Sequence, residues 1–300
     1  MEPMIDLPDA VRAMAVRGPQ WQDWVDRLPR LLRAQLDDWA LTPDGAPMHG
    51  FCSIVVPVRS RDTGPAVLKI SLPDEESEHE HLALRRWGGD GAVRLLRAEP
   101  HRRALLLERL QTRDLKGLWD IEACEIAASL YRRIHVPALP QLRLLPALVE
   151  HWTADLTALP RNAPVPRRLV EQAITLGTEL IADPASSATL IHSDLHYENV
   201  LAADREPWLV IDPKPISGDP HYEIAPMLWN RWAELAGYVR DGVRRRFYTL
   251  VDAAELDVDR ARAWVIVRTM HNAMWELTEQ DEPDPDWLTT CVTIAKAVQD

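Results

Sequence analysis

One stretch of the chain, TLIHSDLHYENVLAADREPWLVIDPKP at residues 189–215, places histidines, carboxylates and an asparagine between apolar runs. Three interpretations compete for it. His192, Asp194 and His196 stand at alternate positions, so an extended backbone would turn them to one face, where they could bind a metal such as zinc. The same polar residues also favour turns and caps that carry no chemistry. The third interpretation is a catalytic loop.

The spacing of the polar residues favours the catalytic loop. The kinase pattern H-x-D-L-x-x-x-N is matched by His192, Asp194, Leu195 and Asn199, and a following apolar run ends at Asp212. Phosphoryl transfer requires a carboxylate that orients the attacking hydroxyl and accepts its proton, together with oxygen ligands for magnesium. The pattern therefore predicts Asp194 as the catalytic base and Asn199 and Asp212 as magnesium ligands. A zinc site lacks a further His or Cys cluster nearby, and the pattern is long for a simple turn.

A kinase also needs a lysine on a strand and a carboxylate that holds it. The segment SIVVPVRSRDTGPAVLKISL (residues 53–72) has two apolar runs around a polar turn, which predicts a hairpin. It aligns Lys69 with the kinase lysine that contacts the α- and β-phosphates of ATP. The next segment, DEESEHEHLALRRWGG (residues 74–89), predicts a helix with an acidic first turn and a glycine stop. Glu80 is preferred over Glu76 as the partner of Lys69, because the apolar side of the helix lies beside it.

Two further segments complete the expected nucleotide site. PDGAPMHGFCS (residues 43–53) lacks G-x-G-x-x-G, yet its backbone amides near Ser53 could face the phosphates, since that contact needs N–H groups rather than particular side chains. LLLERL (residues 105–110) predicts the hinge, where backbone groups from Glu108 to Leu110 would pair with adenine. The expected cofactors are ATP, with GTP left open, and Mg²⁺.

The order of elements predicts an α+β, bilobal, protein-kinase-like fold. Residues 1–110 would form an N-terminal nucleotide-binding lobe, with an antiparallel sheet, one key helix and a helical extension at residues 1–44. Residues 111–300 would form a mostly helical C-terminal lobe that carries the catalytic loop at residues 190–215 and the substrate site. The 3.6-residue periodicity of apolar positions in this lobe predicts helices within residues 120–136, 165–183, 222–242, 243–254 and 259–279.

Composition limits the classes of function. The 300 residues carry a formal net charge of −12, which disfavours nucleic-acid binding because phosphate contacts need a basic surface. That charge suits a cationic small molecule, or simply solubility. Apolar runs are too short for a membrane span, and we expect no signal peptide. The 3 cysteines form no CxxC pair, which fits a reducing cytosol. We therefore expect a cytoplasmic monomer or weak dimer.

The chain resembles the aminoglycoside phosphotransferase family, whose fold is similar to that of eukaryotic protein kinases. The similar region runs from about residue 21 to residue 275, and its most specific parts are AVLKISLPDEESEHEHLALRRWGGDGAVRLL, LIHSDLHYENVL and WLVIDPKPISGDPHYEIAPMLWNR. These segments look most like the aminoglycoside/hydroxyurea antibiotic-resistance kinases, a subgroup that includes streptomycin 6-phosphotransferases. The resemblance implies the same roles for Asp194, Asn199, Asp212 and Lys69.

The chain also departs from the family and from protein kinases. Ser193 stands where the family usually has glycine, and its small side chain should be tolerated. No D-F-G or A-P-E follows the second strand, so regulation through an activation loop is not expected. Asp219 is predicted to cap or brace the turn after the metal ligand. Lys214 would either approach phosphate or brace the loop.

The resemblance implies phosphorylation of a hydroxyl on a cationic, hydroxyl-rich acceptor, with an aminoglycoside such as streptomycin as the first choice. Acidic and aromatic side chains of the C-terminal lobe would recognise its guanidinium or ammonium groups. The candidates are His196, Asp155, Glu223, Trp232 and Glu276, followed by Glu279, Trp152 and Trp275. Each has an alternative as a core or surface residue. A kinase of another metabolite, such as an amino alcohol or a sugar, stays open, as does a nucleotide-binding pseudokinase.

Overall fold

The computed structural model describes residues 6–299. The chain divides into two compact units between Gln111 and Thr112, one residue from the predicted boundary. The predicted lobes also include residues 1–5 and residue 300, which lie outside the described part. Unit 1 is built on a sheet and unit 2 mainly on helices. Every helix within residues 6–299 is too short or too polar to cross a lipid bilayer.

Unit 1 is an antiparallel sheet, with helices before its first strand and between two of its strands in chain order. Its strands have the order β1-β3-β4-β6-β5, and β2 pairs with β3. The extension predicted as helical over residues 1–44 is helical from Asp9 to Asp38, with a break at Gly18, and then adds a strand to the sheet. In chain order the elements are α1 (Asp9–Ala13), α2 (Pro19–Asp38), β1 (Leu41–Pro43), β2 (Met48–His49), β3 (Ser53–Ser60), β4 (Gly64–Ser71), α3 (Glu80–Trp87), β5 (Leu95–Glu99) and β6 (Ala104–Glu108).

The strand that carries the predicted phosphate anchor has two different faces. Leu68 and Ile70 of β4 pack with Leu28 and Leu32 of α2 in one buried apolar cluster. Because successive residues of a strand point to opposite faces, Lys69 lies on the other side of the sheet from this cluster. The predicted hairpin of β3 and β4 is confirmed, with antiparallel pairing along their whole length.

The helix predicted over residues 74–89 begins later than expected. Asp74 accepts hydrogen bonds from the backbone N–H of Ser77 at 2.8 Å and from its Oγ at 2.5 Å. These bonds hold the acidic segment in turns, so α3 starts only at Glu80. The helix ends as predicted at Gly88, which has the left-handed φ of 60° that glycine adopts without cost.

Unit 2 combines helices with two small sheets. β10 pairs with β11, and the other sheet has the order β7-β9-β12-β8. In chain order its elements are α4 (Asp120–Ile134), β7 (Val136–Pro137), β8 (Arg143–Leu144), α5 (Leu145–Ala158), α6 (Arg167–Ile181), β9 (Thr189–Ile191), β10 (Val200–Ala202), β11 (Trp208–Val210), β12 (Ile216–Gly218), α7 (Ala225–Trp229), α8 (Val239–Ala254), α9 (Val258–Glu279) and α10 (Pro285–Ala297).

Three features of unit 2 differ from the predictions. The segment 222–242 is not one helix, because Arg231 has a left-handed backbone (φ 55°) that separates α7 from a short 3₁₀ helix at Trp232–Leu235. Helices α5 and α10 and the four-stranded sheet were not predicted. The strand before the catalytic loop, β9, belongs to this sheet and pairs with β12, while the strand that leaves the loop, β10, pairs with β11.

Candidate active site

In unit 1 the predicted phosphate anchor is a buried ion pair. Lys69 Nζ lies 2.8 Å from Oε1 and 2.7 Å from Oε2 of Glu80. The two side chains are 6% and 3% exposed, so water screens their attraction little. Glu76 is exposed, and Glu80 is therefore the helix glutamate that holds the lysine. The pair fixes the ammonium group on the sheet face that is opposite to the apolar cluster.

The segment predicted to cover the phosphates is a tight turn that the N-terminal region holds. Gly50 N–H donates to Ser53 O at 3.0 Å, and a Cβ at position 50 would lie 2.8 Å from Ser53 Oγ, so a larger residue there would displace the Ser53 side chain. The Ser53 side chain is buried, which leaves the backbone for the predicted contact. Arg17 donates to Phe51 O at 2.7 Å, and its guanidinium carbon lies 4.3 Å from the Phe51 ring centroid and 4.8 Å from that of Trp21.

The predicted hinge residues lie at and after the end of β6. Glu108 Oε1 accepts a hydrogen bond from Arg94 N–H at 2.7 Å, and Glu108 N–H donates to Arg94 O at 3.1 Å. The Glu108 side chain thus binds the backbone before β5. Leu110 is partly buried. The adenine contact of this segment stays a prediction.

In unit 2 the catalytic loop runs from β9 to β10 and is braced by His192. His192 Nε2 donates to Ile211 O at 2.8 Å, and Nδ1 accepts from Asp194 N–H at 3.3 Å. Burial lowers the pKa of His192 from its usual 6.5, which favours the neutral ring that these two bonds require. The alternative of a zinc site at His192, Asp194 and His196 is wrong, because both ring nitrogens of His192 are already used. Within residues 6–299 no cluster of three or more His, Cys, Asp or Glu side chains is placed to hold a metal ion.

The residue before the predicted base adopts a constrained backbone. Ser193 has φ 60°, a left-handed conformation that costs a non-glycine residue about 1–2 kcal/mol. Its N–H donates to Glu223 Oε1 at 3.0 Å, its Oγ donates to Lys214 O at 2.6 Å, and its carbonyl oxygen accepts from Arg268. These three bonds explain how serine fills a position where glycine is usual.

The structure corrects the role predicted for Glu223, which was a substrate contact. Glu223 has no exposed surface, and its Oε1 accepts the Ser193 N–H and lies 3.9 Å from His135 Nε2. Burial alone would raise the pKa of Glu223, but His135, His192 and the Ser193 N–H outweigh it and lower the pKa. A carboxylate without exposed surface does not meet a cationic ligand, so Glu223 positions the loop instead.

The residues predicted to hold magnesium supply suitable oxygen atoms. Asn199 Nδ2 donates to the carbonyl of Asp194 at 2.8 Å, which leaves the amide oxygen of Asn199 for a cation. Asp212 has φ 55°, and its Oδ2 lies 3.9 Å from Lys214 Nζ. Carboxylate and amide oxygens suit magnesium, which usually keeps water and phosphate as its other ligands. Asn199 and Asp212 therefore fit a magnesium ion, and the Lys214 backbone also braces the loop by donating to His192 O at 2.9 Å.

Glu276, also predicted to contact the acceptor, has a structural role. Glu276 is 8% exposed, and its Oε1 accepts a hydrogen bond from Asp284 N–H at 2.7 Å. Asp284 is the N-cap of α10, so Glu276 supports the start of that helix. This bond engages one carboxylate oxygen of Glu276, and the predicted contact with a cationic acceptor stays a prediction.

The other acceptor candidates keep some exposed surface and stay predictions. Asp155 is 43% exposed in its side chain, and its Oδ2 lies 3.6 Å from His151 Nε2. His196 is partly buried, and its Nδ1 accepts from Glu198 N–H at 3.3 Å. Trp232 is partly buried in its 3₁₀ helix. Among the secondary candidates, Trp275 and Glu279 are exposed, and Trp152 packs against His271 with ring centroids 5.3 Å apart.

Two positions behind the loop complete the description of unit 2. Asp219 caps the 3₁₀ helix Pro220–Ile224 as predicted, by accepting from His221 N–H at 3.0 Å. Arg268, which donates to the Ser193 carbonyl, was not predicted to have a role. Its signal in the sequence is a charged residue inside the apolar segment AWVIVRTM (residues 263–270) of α9. A charge at such a position needs buried partners.

Comparison with known proteins shows the family to which the chain belongs. Residues 38–280 match the model of the family described as aminoglycoside/hydroxyurea antibiotic resistance kinase. The chain is 38% identical to a streptomycin 6-kinase of Streptomyces glaucescens, over 99% of this chain and 98% of that protein. It is 37% identical to a hydroxyurea phosphotransferase of Kitasatospora aureofaciens, over 94% of this chain and 84% of that protein. The solved structure of choline kinase LicA from Streptococcus pneumoniae has a TM-score of 0.62 at 13% identity, over 91% of this chain and 99% of that one.

These findings define the class of protein. The fold is the predicted kinase-like α+β fold, and the protein is a small-molecule kinase. More specifically, the chain belongs to the aminoglycoside/hydroxyurea antibiotic resistance kinase family. The resemblance seen in the sequence motifs is thereby confirmed.

Proposed function

We propose that this protein transfers the γ-phosphoryl group of ATP to a hydroxyl of a cationic, hydroxyl-rich small molecule, with streptomycin as the leading acceptor. The observation that carries the proposal is the braced loop of unit 2, in which the amide of Asn199 binds the backbone of Asp194 at 2.8 Å. The 38% identity to a streptomycin 6-kinase supports the choice of acceptor. The reaction would take place in the cytoplasm, where ATP is available.

Each residue of the proposed site has a separate task. The Asp194 carboxylate accepts the proton of the acceptor hydroxyl and orients that oxygen for attack. Lys69, held by Glu80, contacts phosphate oxygens of the nucleotide. Asn199 and Asp212 would hold magnesium, which when bound neutralises charge on the phosphates. The rate would come mainly from positioning and charge neutralisation, since the protein forms no covalent bond to the phosphoryl group.

The acceptor would be recognised through charge. The net charge of −12 attracts cations over a distance, and carboxylates bind guanidinium groups with directed hydrogen bonds. Asp155, Trp232 and His196 are the candidates that keep accessible surface. Asp155→Asn should therefore raise the KM for a cationic acceptor more than the KM for ATP.

A second acceptor, hydroxyurea, has a specific observation in its favour. The chain is 37% identical to a hydroxyurea phosphotransferase, nearly the same identity as to the streptomycin kinase. Hydroxyurea carries a hydroxyl but no positive charge, so the two acceptors make different demands on the acidic residues. If the acceptor is not recognised through charge, Asp155→Asn should leave the KM for that acceptor unchanged.

A panel assay tests the proposal. Purified protein with Mg-ATP is offered streptomycin, other aminoglycosides, hydroxyurea, choline and simple sugars, and ADP release and phosphorylated product are both measured. We expect product with streptomycin, and a loss of about 10²–10⁴-fold in kcat for Asp194→Asn with nucleotide affinity nearly unchanged. Asp241→Asn, an exposed position on α8, is the matched control and should keep full activity. Turnover only with uncharged or non-aminoglycoside alcohols would refute the streptomycin assignment, and no turnover with any acceptor would favour a nucleotide-binding protein.

A further inference from the structure

A buried arginine on α9 lies behind the catalytic loop. Arg268 is 8% exposed, and its Nη1 donates to Tyr222 O at 2.9 Å while Nη2 donates to Ser193 O. Its guanidinium carbon lies 4.2 Å from the ring centroid of Tyr222 and 5.2 Å from that of Trp229. Within residues 6–299 the partners of this charge are carbonyl oxygens and aromatic rings rather than a carboxylate.

Burying the Arg268 guanidinium costs free energy unless its contacts with the protein replace the lost hydration. Burial without a paired carboxylate removes hydration that only directed hydrogen bonds and ring faces replace. Arginine suits this task because its planar fork can donate to two carbonyls at once and stack on aromatic faces. Trp264 and Val265, one turn before Arg268 on the same side of the helix, are fully buried, so this face of the helix is core.

The contact of Arg268 with Ser193 involves the peptide group that joins Ser193 to the proposed base, Asp194. The carbonyl of Ser193 belongs to the same peptide group as the N–H of Asp194. Arg268 holds the oxygen of this peptide, and His192 Nδ1 accepts its N–H at 3.3 Å. Two partners on opposite edges fix the plane of the peptide, and the plane sets the direction of the Asp194 side chain. Ser193 meanwhile keeps a left-handed φ of 60° that serine disfavours.

We infer that Arg268 is a positioning residue for Asp194. It orients Asp194 by holding the peptide group between Ser193 and Asp194 while Ser193 keeps its left-handed backbone. The inference rests on the proposed function, in which Asp194 is the base. It predicts that weakening the arginine contact misdirects the carboxylate without touching the nucleotide anchor in unit 1. A displacement of about 1 Å at the reacting group is able to cost about 100-fold in rate.

The conservative change Arg268→Lys tests this inference, because lysine keeps the charge but loses the fork. We expect kcat for the acceptor found in the panel assay to fall by about 10- to 100-fold, with the KM for ATP changed by less than about twofold. Arg262→Lys, on the same helix, is the matched control and should keep kcat, since Arg262 binds Val298 O and Asp259 instead.

A second background separates positioning from a general loss of structure. Glycine adopts the left-handed conformation without cost, so Ser193→Gly should make the loop depend less on Arg268. Arg268→Lys should then lower kcat by several-fold less in the Ser193→Gly background than in the wild type. An equal loss in both backgrounds, or an unchanged kcat in the single variant, would overturn the inference. If Arg268→Lys does not fold, the double variant is compared with Ser193→Gly: a loss of kcat of up to about tenfold supports the inference, and a larger loss or no loss overturns it.

The outcomes also separate this inference from the proposed function. If Asp194→Asn keeps full turnover, the assignment of the base fails. If Asp194→Asn is inactive while Arg268→Lys behaves as wild type, only the positioning role fails.

Discussion

Asp219→Asn should destabilise unit 2 strongly, because it removes the acceptor of a buried network. The Asp219 side chain is 1% exposed. Its Oδ1 accepts from His221 N–H at 3.0 Å and from His221 Nδ1 at 2.6 Å. Its Oδ2 accepts from Arg260 Nε at 2.6 Å and from Trp264 Nε1 at 2.7 Å. Asparagine has one acceptor oxygen and a donor NH₂, so about half of these donors would lose their partner.

The pKa of Asp219 gives the size of the effect. Burial alone would raise this pKa, but the hydrogen bonds from His221 and Arg260 outweigh burial and lower it from 3.8 to about 2. A depressed carboxylate stabilises the fold when it is ionised, so its contribution is complete above about pH 4 and is lost as the pH falls towards 2. The difference between the two pKa values corresponds to about 2.5 kcal/mol of unfolding free energy. Breaking a buried charge pair can cost about 3–5 kcal/mol, so Asp219→Asn should lose between about 2.5 and 5 kcal/mol at pH 7.

Urea unfolding followed by the helical circular dichroism signal measures this loss. The gap between wild type and Asp219→Asn should be large at pH 7 and should shrink as the pH falls from 4 to 2, because the unfolded wild-type chain then binds a proton at Asp219 more readily than the folded protein does. Asp183→Asn is the matched control: Asp183 binds the same Arg260 at 2.8 Å, but its side chain is 45% exposed, so water replaces the bond and the loss should be far smaller. A gap below about 1 kcal/mol at pH 7, or one that does not depend on pH, would refute the reasoning.

Three further predictions follow from other contacts. Glu80→Gln should lower the free energy of unfolding by about 3–5 kcal/mol and raise the KM for ATP, because it breaks a buried ion pair. Glu76→Gln, at an exposed position, should change neither quantity, and equal effects of the two variants in urea unfolding and ATP kinetics would contradict this. Arg17→Ala should raise the KM for ATP about fivefold by releasing the turn that it holds, a loss of about 1 kcal/mol typical of one hydrogen bond, and an unchanged KM would mean that the turn does not touch nucleotide. Arg246→Met should lower the free energy of unfolding by about 3–5 kcal/mol, because Arg246 is fully buried against Asp120. The double variant with Asp120→Asn should lose less than the two single variants together, and additive losses in thermal or urea unfolding would show that the pair is not coupled.

Local patterns made part of the site predictable. A loop motif keeps its spacing within eight residues, so Asp194 and Asn199 could be proposed for their roles from residue type alone. Alternation along β4 likewise separated Lys69 from the apolar face of its strand. Long amphipathic helices such as α8 and α9 were predictable because their apolar periodicity extends over several turns.

Contacts distant in sequence were not predictable in the same way. The start of α3 depended on whether Asp74 would bind Ser77 or leave the segment helical, and the side-chain bond won. Glu223 and Glu276 looked like ligands for a cation because carboxylates are usually exposed, yet the fold uses both to satisfy backbone N–H groups. The two strand partners of β9 are distant in sequence, since helices separate it from β7 and the loop and the next hairpin separate it from β12, so local pattern did not identify them.

The sequence by itself determined the kind of chemistry: a carboxylate, an amide and a second carboxylate at kinase spacing, and a lysine on a strand. It did so because these side chains act through their own functional groups, which residue type specifies. The tertiary structure places Glu80 on Lys69, as the sequence had preferred, and it alone decided that Arg268 and Glu223 hold the loop. Those partners lie 11, 75 and 30 positions from the residues they bind, and only folding brings such distant residues within hydrogen-bond distance.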